Sequence, residues 1–410
     1  MSVPSVPARR VVVTGIGCVS AMGRGVEALL EGLREGRNCA RPITAFDTAG
    51  FAHAQACEVP DDAGPDGADG SLGRAAALAV DAALLALADA GLSREELRSV
   101  PCAVAVGTTD GESRDLDDLV AQQLASDDGS FDPVVAERVQ PLRLSAAIAR
   151  TLGLEQAEVM TLQTACAAGN YAIGSGFDAI RSGDVDVALA GGADALCRKT
   201  FTGFYRLGTI APDLCRPFDA DREGILTGEG GVVLVLESLD AARARGARVY
   251  AEVLGYGLTC DATHPVAPDA AGVARCIEVA LDRAGLTPGD VDLVSAHGTG
   301  TRANDVTETT ALRAVYGDAL PRTVSIKSML GHAMGAASAL GAAASALALT
   351  HGFIPPTINH RSTDPACPVD CVPNTSVPAA LDVVQNHGLA FGGNNSVLLL
   401  GRVDREVVTA

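Results

Sequence analysis

Cys166, His297 and His332 are the residues of this 410-residue chain whose type and local spacing best suit chemistry. Cys166 stands where a strand-like run, Val159–Gln163, gives way to a segment of small residues, Ala167, Ala168, Gly169, Ala172, Gly174 and Gly176. A thiol at a helix start faces unpaired backbone N–H groups, whose dipoles favour the thiolate, the nucleophilic form. Its own amide is also a ready donor to an oxyanion formed beside the sulfur. His297 follows the strand-like Val291–Ser295 and heads Gly298-Thr299-Gly300-Thr301, a tight turn with two hydroxyls. His332 closes Lys327-Ser328-Met329-Leu330-Gly331-His332, directly before a second small-residue helix. Functional side chains concentrate at such element ends, where a rigid scaffold holds a short loop. One imidazole can accept a hydrogen bond or a proton while the other donates to a developing enolate or oxyanion.

The elements that must position these three residues form a weak internal echo. In the first half a strand at Val159–Gln163 leads to Cys166; in the second a strand at Thr323–Lys327 leads to His332 and the Ala-rich stretch 336–349. Helices so poor in bulk lie buried against other backbones, where small side chains permit close approach. Each half carries a further hydrophobic strand near glycine, Val185–Gly191 and Val397–Gly401. Such alternation predicts an α/β layered fold built by duplication. A helix is expected at 74–90, a strand at Ala103–Val106, an acidic Gly/Pro-rich loop at 60–72 and a polar insertion or cap over 108–150. Val11-Val12-Val13 reads as a buried strand ending in a glycine turn at Thr14-Gly15-Ile16-Gly17. That turn starts like a dinucleotide fingerprint, but Ser20 stands where the third glycine belongs, so a plain strand-end turn is the reading. No stretch resembles a flexible linker, and one compact body is expected.

Bulk composition excludes several classes. The formal net charge of −19 argues against nucleic acid as a partner, which needs concentrated positive charge. No apolar run reaches membrane-spanning length, and stretch 336–349 is too short. The start of the chain lacks a signal-peptide pattern, and the eleven cysteines are irregularly spaced. A reducing, cytoplasmic protein with mostly core cysteines is expected. Hydrophobic residues make up 48% and aromatics only 3%, with 45 glycines, which suits close packing of backbones.

Four ordered motifs resemble the β-ketoacyl-acyl-carrier-protein synthases of the thiolase-like superfamily: Thr164-Ala165-Cys166-Ala167-Ala168-Gly169, Ala296-His297-Gly298-Thr299-Gly300-Thr301, Lys327 to His332, and Phe391-Gly392-Gly393-Asn394-Asn395. Arg216-Pro217-Phe218-Asp219 and Gly228-Glu229-Gly230-Gly231 extend the resemblance over nearly the whole chain, closest to the elongating type II fatty-acid and polyketide enzymes. It implies a duplicated, five-layered α-β-α-β-α fold with mixed sheets, in an N-terminal half over 8–247 and a C-terminal half over 248–405. It implies that Cys166 takes an acyl chain from an acyl carrier protein. His297 and His332 then promote decarboxylation of a malonyl extender and stabilise the enolate that attacks. Lys327 would support that network. The amides of Cys166 and Phe391 would form the oxyanion hole, with Phe391 the gating aromatic. Thr299 and Thr301 would bind the phosphopantetheine arm, which is a substrate carrier, no cofactor being permanently bound. Asp305, Glu308 and Asn395 would be structural, and no metal is implied. The partner would be a second copy or a chain-length-factor-like subunit. His264, His351, His360 and His387 lie outside every motif and are taken as incidental.

Three departures point away from housekeeping fatty-acid synthesis toward a discrete polyketide ketosynthase. Ile225 stands where such enzymes commonly carry Phe near the acyl channel. Gly341 falls where a Glu usually follows the second histidine by nine residues and pairs with the lysine, so Lys327 needs another partner. The segment before the 74–90 helix is acidic, with Arg74 nearly alone, where relatives place basic residues for carrier-protein docking. Ordinary fatty-acid elongation is the first alternative. A chain-length-factor-type subunit, which lacks the nucleophile, is the second, and the presence of Cys166, His297, His332 and Lys327 argues against it. A metal site on His360, Cys367 and Cys371 lacks a fourth spaced ligand.

Overall fold

The computed structural model describes residues 8–60 and 71–403, so most of the acidic loop lies outside the described residues. Two sets of five strands follow one another: β1 (Val11–Ser20), β2 (Cys102–Gly107), β3 (Ala157–Leu162), β4 (Val187–Asp194) and β5 (Gly230–Ser238), then β6 (Ala251–Cys260), β7 (Leu293–Ser295), β8 (Arg322–Val324), β9 (Val383–Leu389) and β10 (Asn394–Gly401). They join in the order β8-β7-β9-β10-β6-β1-β5-β4-β2-β3. The order reads the same from either end. β3-β2-β4 and β8-β7-β9 are parallel, while β5 with β1, and β10 with β6, complete each half antiparallel. The halves meet where Val11–Val13 pair with Ala251–Val253.

Eight helices matter for the site: α1 (Arg74–Ala90), α2 (Ser113–Ala125), α3 (Arg143–Leu152), α4 (Ala168–Ser182), α5 (Arg198–Arg206), α6 (Ala270–Ala284), α7 (Arg302–Tyr316) and α8 (Ala337–His351). α1 and α3 cover one outer face, α6 and α7 the other, and α4 packs on α8 between the two half-sheets. This is the expected α-β-α-β-α arrangement. The two central helices approach closely because their contact positions are small. A Cβ on Gly169 would lie 2.6 Å from the Ala339 backbone nitrogen.

The glycine turn expected after Val13 is not a turn. β1 runs on to Ser20, fully buried, and its glycines make room for α1. A Cβ on Gly17 would lie 1.8 Å from the Ala82 carbonyl oxygen and one on Gly15 2.3 Å from that of Ala86. Glycines at these positions encode close helix–strand packing, not the expected turn. Region 108–150 holds α2, a short helix Pro133–Arg138 and α3. It exposes Leu116, Val120, Leu124, Phe131, Val134 and Leu142, while β3 is the end strand of the sheet.

Candidate active site

Cys166 sits on a tight 3₁₀ turn, Ala165–Ala167, between β3 and α4. Ala165 is held at φ 51°, a left-handed conformation costly for a residue with a Cβ. The second half repeats this turn at Met334–Ala336, before α8, with Met334 at φ 47°. The duplication therefore matches Cys166 with Gly335. The sequence echo had matched it with His332, which lies three residues earlier, where the chain leaves the short helical turn Lys327–Leu330.

His297 leaves the end of β7 on a turn whose Gly298 and Gly300 have φ 36° and 78°. Glu308, on α7, clamps that turn: its carboxylate accepts from the His297 N–H at 2.7 Å and the Gly298 N–H at 2.8 Å. Asp305 accepts from the amides of Gly300 (3.2 Å) and Phe218 (2.9 Å) and faces the fully buried Arg222 at 3.3 Å. Folding thus brings together three segments far apart in sequence. The Cys166 sulfur and one ring nitrogen from each of His297 and His332 lie within 4.8 Å of one another. The two imidazoles meet edge to face, centroids 5.3 Å apart.

Burial dominates the electrostatics. The Cys166 thiol is pushed up to about 12 by burial, with Lys327 opposing. The thiolate expected from the helix start is therefore not the resting form; loss of water outweighs the backbone dipoles. Burial, aided by the Lys327 charge, holds His297 and His332 well below the ordinary imidazole value, so both are neutral near pH 7. The Nδ1 of His332 accepts from the Met334 N–H at 3.1 Å, which leaves the ring proton on Nε2. Lys327 is itself only 5% exposed and is depressed by burial, with Glu308 the strongest of the anions opposing that. A sulfur and two nitrogens at this spacing are also a donor set for a soft cation, but the ammonium of Lys327 makes a dication costly there.

These groups open into a cavity with about 120 Å³ of free space, lined on its apolar walls by Phe204, Ile225, Val266, Pro268, Leu389 and Phe391. Thr299 and Thr301 also line it, their hydroxyls 2.9 Å apart. The Thr301 oxygen already caps α7 by accepting from the Asn304 N–H at 3.2 Å. Phe391 is 36% exposed, its ring 5.6 Å from that of Phe204. Asn395 is buried and donates to Asp261 at 2.6 Å; the Asp261 amide in turn holds the Gly393 carbonyl at 2.9 Å. Ile225 is buried against Phe201, Ile210 and Leu196.

Arg74 is bound to Glu229 at 2.7 Å, so it serves a buried carboxylate. Cys367 lies 3.5 Å from the Arg222 guanidinium, and His360 meets Thr363, so two members of the metal alternative set aside in the sequence have other partners. Two histidines taken as incidental hold part of the site. His264 Nδ1 accepts from the amides of Val266 and Ala267 and shapes the cavity mouth. His387 is 1% exposed and reaches Glu308. Sequence reasoning also missed Phe204 and Asp194. A Phe-x-x-Phe-Tyr cluster in an aromatic-poor chain was the available signal for Phe204. Asp194, pushed up to about 7 by burial, accepts from Thr108, Thr109, Asp110 and Gly335 and ties the turn after His332 to the first half; only folding reveals it.

The chain matches the family models for the β-ketoacyl synthase N-terminal domain over residues 8–242 and C-terminal domain over 250–361. Nodulation protein E of Rhizobium meliloti is 38% identical over 96% of this chain and all of that protein. A putative polyketide β-ketoacyl synthase 1 of Streptomyces cyaneus is 38% identical over 96% of this chain and 98% of that one. Among solved structures, a chain of the ishigamide ketosynthase/chain length factor is 57% identical, with a TM-score of 0.94 over 96% of this chain and 99% of that one. A type II polyketide ketosynthase structure with its acyl-carrier protein, bound to the hexaketide, is 29% identical, TM-score 0.89, over 97% of this chain and all of that one. With both family models matched in order and the fold shared end to end, the chain belongs to the β-ketoacyl synthase family, acyltransferases that form carbon–carbon bonds.

Proposed function

We propose that this chain loads an acyl group on Cys166 and condenses it, with loss of CO₂, onto a malonyl group carried by an acyl carrier protein, as a discrete ketosynthase of a type II polyketide system. The observation that carries this reading is the buried Cys166–His297–His332 cluster at the base of an apolar cavity beside Lys327. A chain-length-factor role would need none of it. In the loading step the carrier thioester carbonyl is attacked by the Cys166 sulfur, whose proton leaves on the pantetheine sulfur. The Cys166 and Phe391 amides face the oxyanion. In the second step malonyl decarboxylation leaves an enolate. Its oxygen takes a hydrogen bond from the His332 Nε2–H, and His297 lies close enough to share that charge. The enolate carbon then attacks the acyl thioester, and the Cys166 thiolate departs. Two neutral donors suit this chemistry, because an imidazolium would attract the malonyl carboxylate that has to leave.

Replacing His332 with Ala is expected to lower malonyl-carrier-protein decarboxylation by roughly 10²–10³-fold, the usual loss for one preorganised donor, while Cys166 still takes up its acyl group. CO₂ release and intact-protein mass separate the two steps. Wild-type protein that releases no CO₂ from malonyl-carrier protein would overturn the reading.

The polyketide assignment rests on the likeness to a putative polyketide β-ketoacyl synthase and to a type II polyketide ketosynthase structure, and on Ile225 in the cavity wall. Ile225→Phe adds a ring to that wall and is expected to reduce the longest acyl chain accepted. Unchanged product lengths across an acyl-carrier-protein series would reject Ile225 as a channel determinant. We read the assembly as a dimer with a second copy or a chain-length-factor-like chain. The end position of β3 in the sheet and the exposed Leu116, Val120 and Leu124 of α2 support it. No helix among the described residues is long and apolar enough to cross a membrane. All eleven cysteines are free, in keeping with a cytoplasmic setting.

A further inference from the structure

His387 emerges from the structure as part of a buried polar chain that no motif suggested. It sits on β9, fully enclosed, with its Nδ1 2.8 Å from Glu308 Oε1. Its Nε2 faces the side-chain nitrogen of Gln385, and the Gln385 oxygen accepts from the Tyr316 hydroxyl at 2.8 Å. An amide nitrogen can only donate, so Nε2 is the acceptor and the imidazole proton stands on Nδ1, aimed at the carboxylate. Glu308 is the residue that clamps the His297–Gly298 turn and the strongest anion acting on Lys327.

The same region explains Gly341. A Cβ there would lie 2.2 Å from the Asn386 side-chain oxygen and 3.3 Å from the Ser295 hydroxyl. Asn386 is locked in place, donating to Asn170 and to the Ser338 carbonyl, both at 2.8 Å. A glutamate at 341 has no room, and the space it would need is held by a neutral amide. The charge opposite Lys327 must therefore come from another element, and Glu308 on α7 is the one that acts on it most strongly.

We propose that His387 is a positioning residue of the active site: through its Nδ1–H it keeps Glu308 ionised and aligned, so that Glu308 replaces the carboxylate missing at 341 as counter-charge to Lys327 and holds the His297 turn. This rests on the ketosynthase reading above. His387 is also the largest influence that lowers Glu308 against its burial. The titratable groups facing this pair are Tyr316 on α7 through Gln385, Asp305 with Arg222 beside the α7 start, Lys327 on the turn after β8, and His297 after β7. Tyr316 is raised by burial and stays neutral.

The sign follows. Without His387 the Glu308 carboxyl rises toward protonation, and a protonated carboxyl neither balances Lys327 nor accepts both turn amides. His387→Leu is expected to lower kcat for decarboxylation about tenfold or more, the range for one lost charge-assisted hydrogen bond. Its acid limb moves to higher pH, while acylation of Cys166 is largely spared. His387→Asn keeps a donor at the Nδ1 position and is expected to restore both the rate and the limb. Gln385→Leu, which frees the tautomer, gives a smaller shift in the same direction. The measurement is the pH profile of CO₂ release from malonyl-carrier protein, with acyl uptake by mass on the same samples. A wild-type profile in His387→Leu, or Asn no better than Leu, overturns the proposal alone. If His387→Leu does not fold, Gln385→Leu against His387→Asn decides the matter. Wild-type protein without decarboxylation overturns the ketosynthase reading and this proposal together.

Discussion

Cys166→Ala is expected to abolish both acyl uptake and condensation, with the protein still folded. The loss should be complete within detection, because Cys166 supplies the one thiol among the residues lining the cavity. Removing one buried sulfur should cost roughly 1 kcal/mol of stability, at the low end for deleting a core atom, since the flanking Ala165, Ala167 and Ala168 backbone is fixed by the turn and by α4. Intact-protein mass spectrometry after incubation with acyl-carrier protein reads the result directly. A variant that gains the acyl mass at the wild-type rate would show that Cys166 is not the carrier. The resting thiol, pushed up to about 12, adds a second expectation. Alkylation of Cys166 near neutral pH should be slow and should accelerate as pH rises, whereas a thiolate at rest would react fast throughout. The exposed Cys260 is the internal comparison for that measurement.

The second large effect is structural. Arg222 is fully buried and touches Asp305 at 3.3 Å, Asp364 at 2.6 Å and the Asp219 carbonyl at 2.7 Å. Arg222→Leu leaves Asp305, which is 0% exposed, without its cation, and breaking a buried pair in this way costs roughly 3–5 kcal/mol. Asp305 supports the Gly300 amide, so loosening of the Thr299–Thr301 turn should accompany the loss of stability. The pH dependence has a definite sign. Burial already raises Asp305 to about 6, above the unfolded value of about 3.9. A raised carboxyl in the folded state takes up protons on folding, so its cost is fully present above the folded value and vanishes below the unfolded one. The variant should therefore regain part of its thermal stability as pH falls from above 6 toward 4. A melting temperature within a degree or two of wild type would mean that Arg222 contributes no more than shape.

These two residues mark different depths of what a reader can take from the chain. Cys166, His297 and His332 were legible as candidates because each stands at an element end, the two histidines beside glycine and the cysteine at the head of a small-residue helix. The α1 helix was legible to the residue, Arg74–Ala90, since it begins after Gly73 and stops at Gly91, whose φ is 64°. The small-residue stretches announced that two helices would be buried, and α4 and α8 do cross through the centre. Local signals failed where a residue serves something distant. Gly15 and Gly17 read as a turn, because nothing nearby reveals that α1 lies across them.

Charge states were the least legible. A helix start alone favours a thiolate at Cys166, yet burial reverses that, and burial is a property of the whole fold. His387 looked incidental because its partners, Glu308 and Gln385, lie on different elements and carry no shared spacing. By itself the sequence carried the motifs that resemble the family, the layered architecture that resemblance implies, and the three side chains proposed to react. Only the tertiary structure decided which forms those groups take, what faces Lys327 in place of a carboxylate at 341, and how the site is held. Desolvation and counter-charges act through space, between residues that the order of the chain keeps far apart.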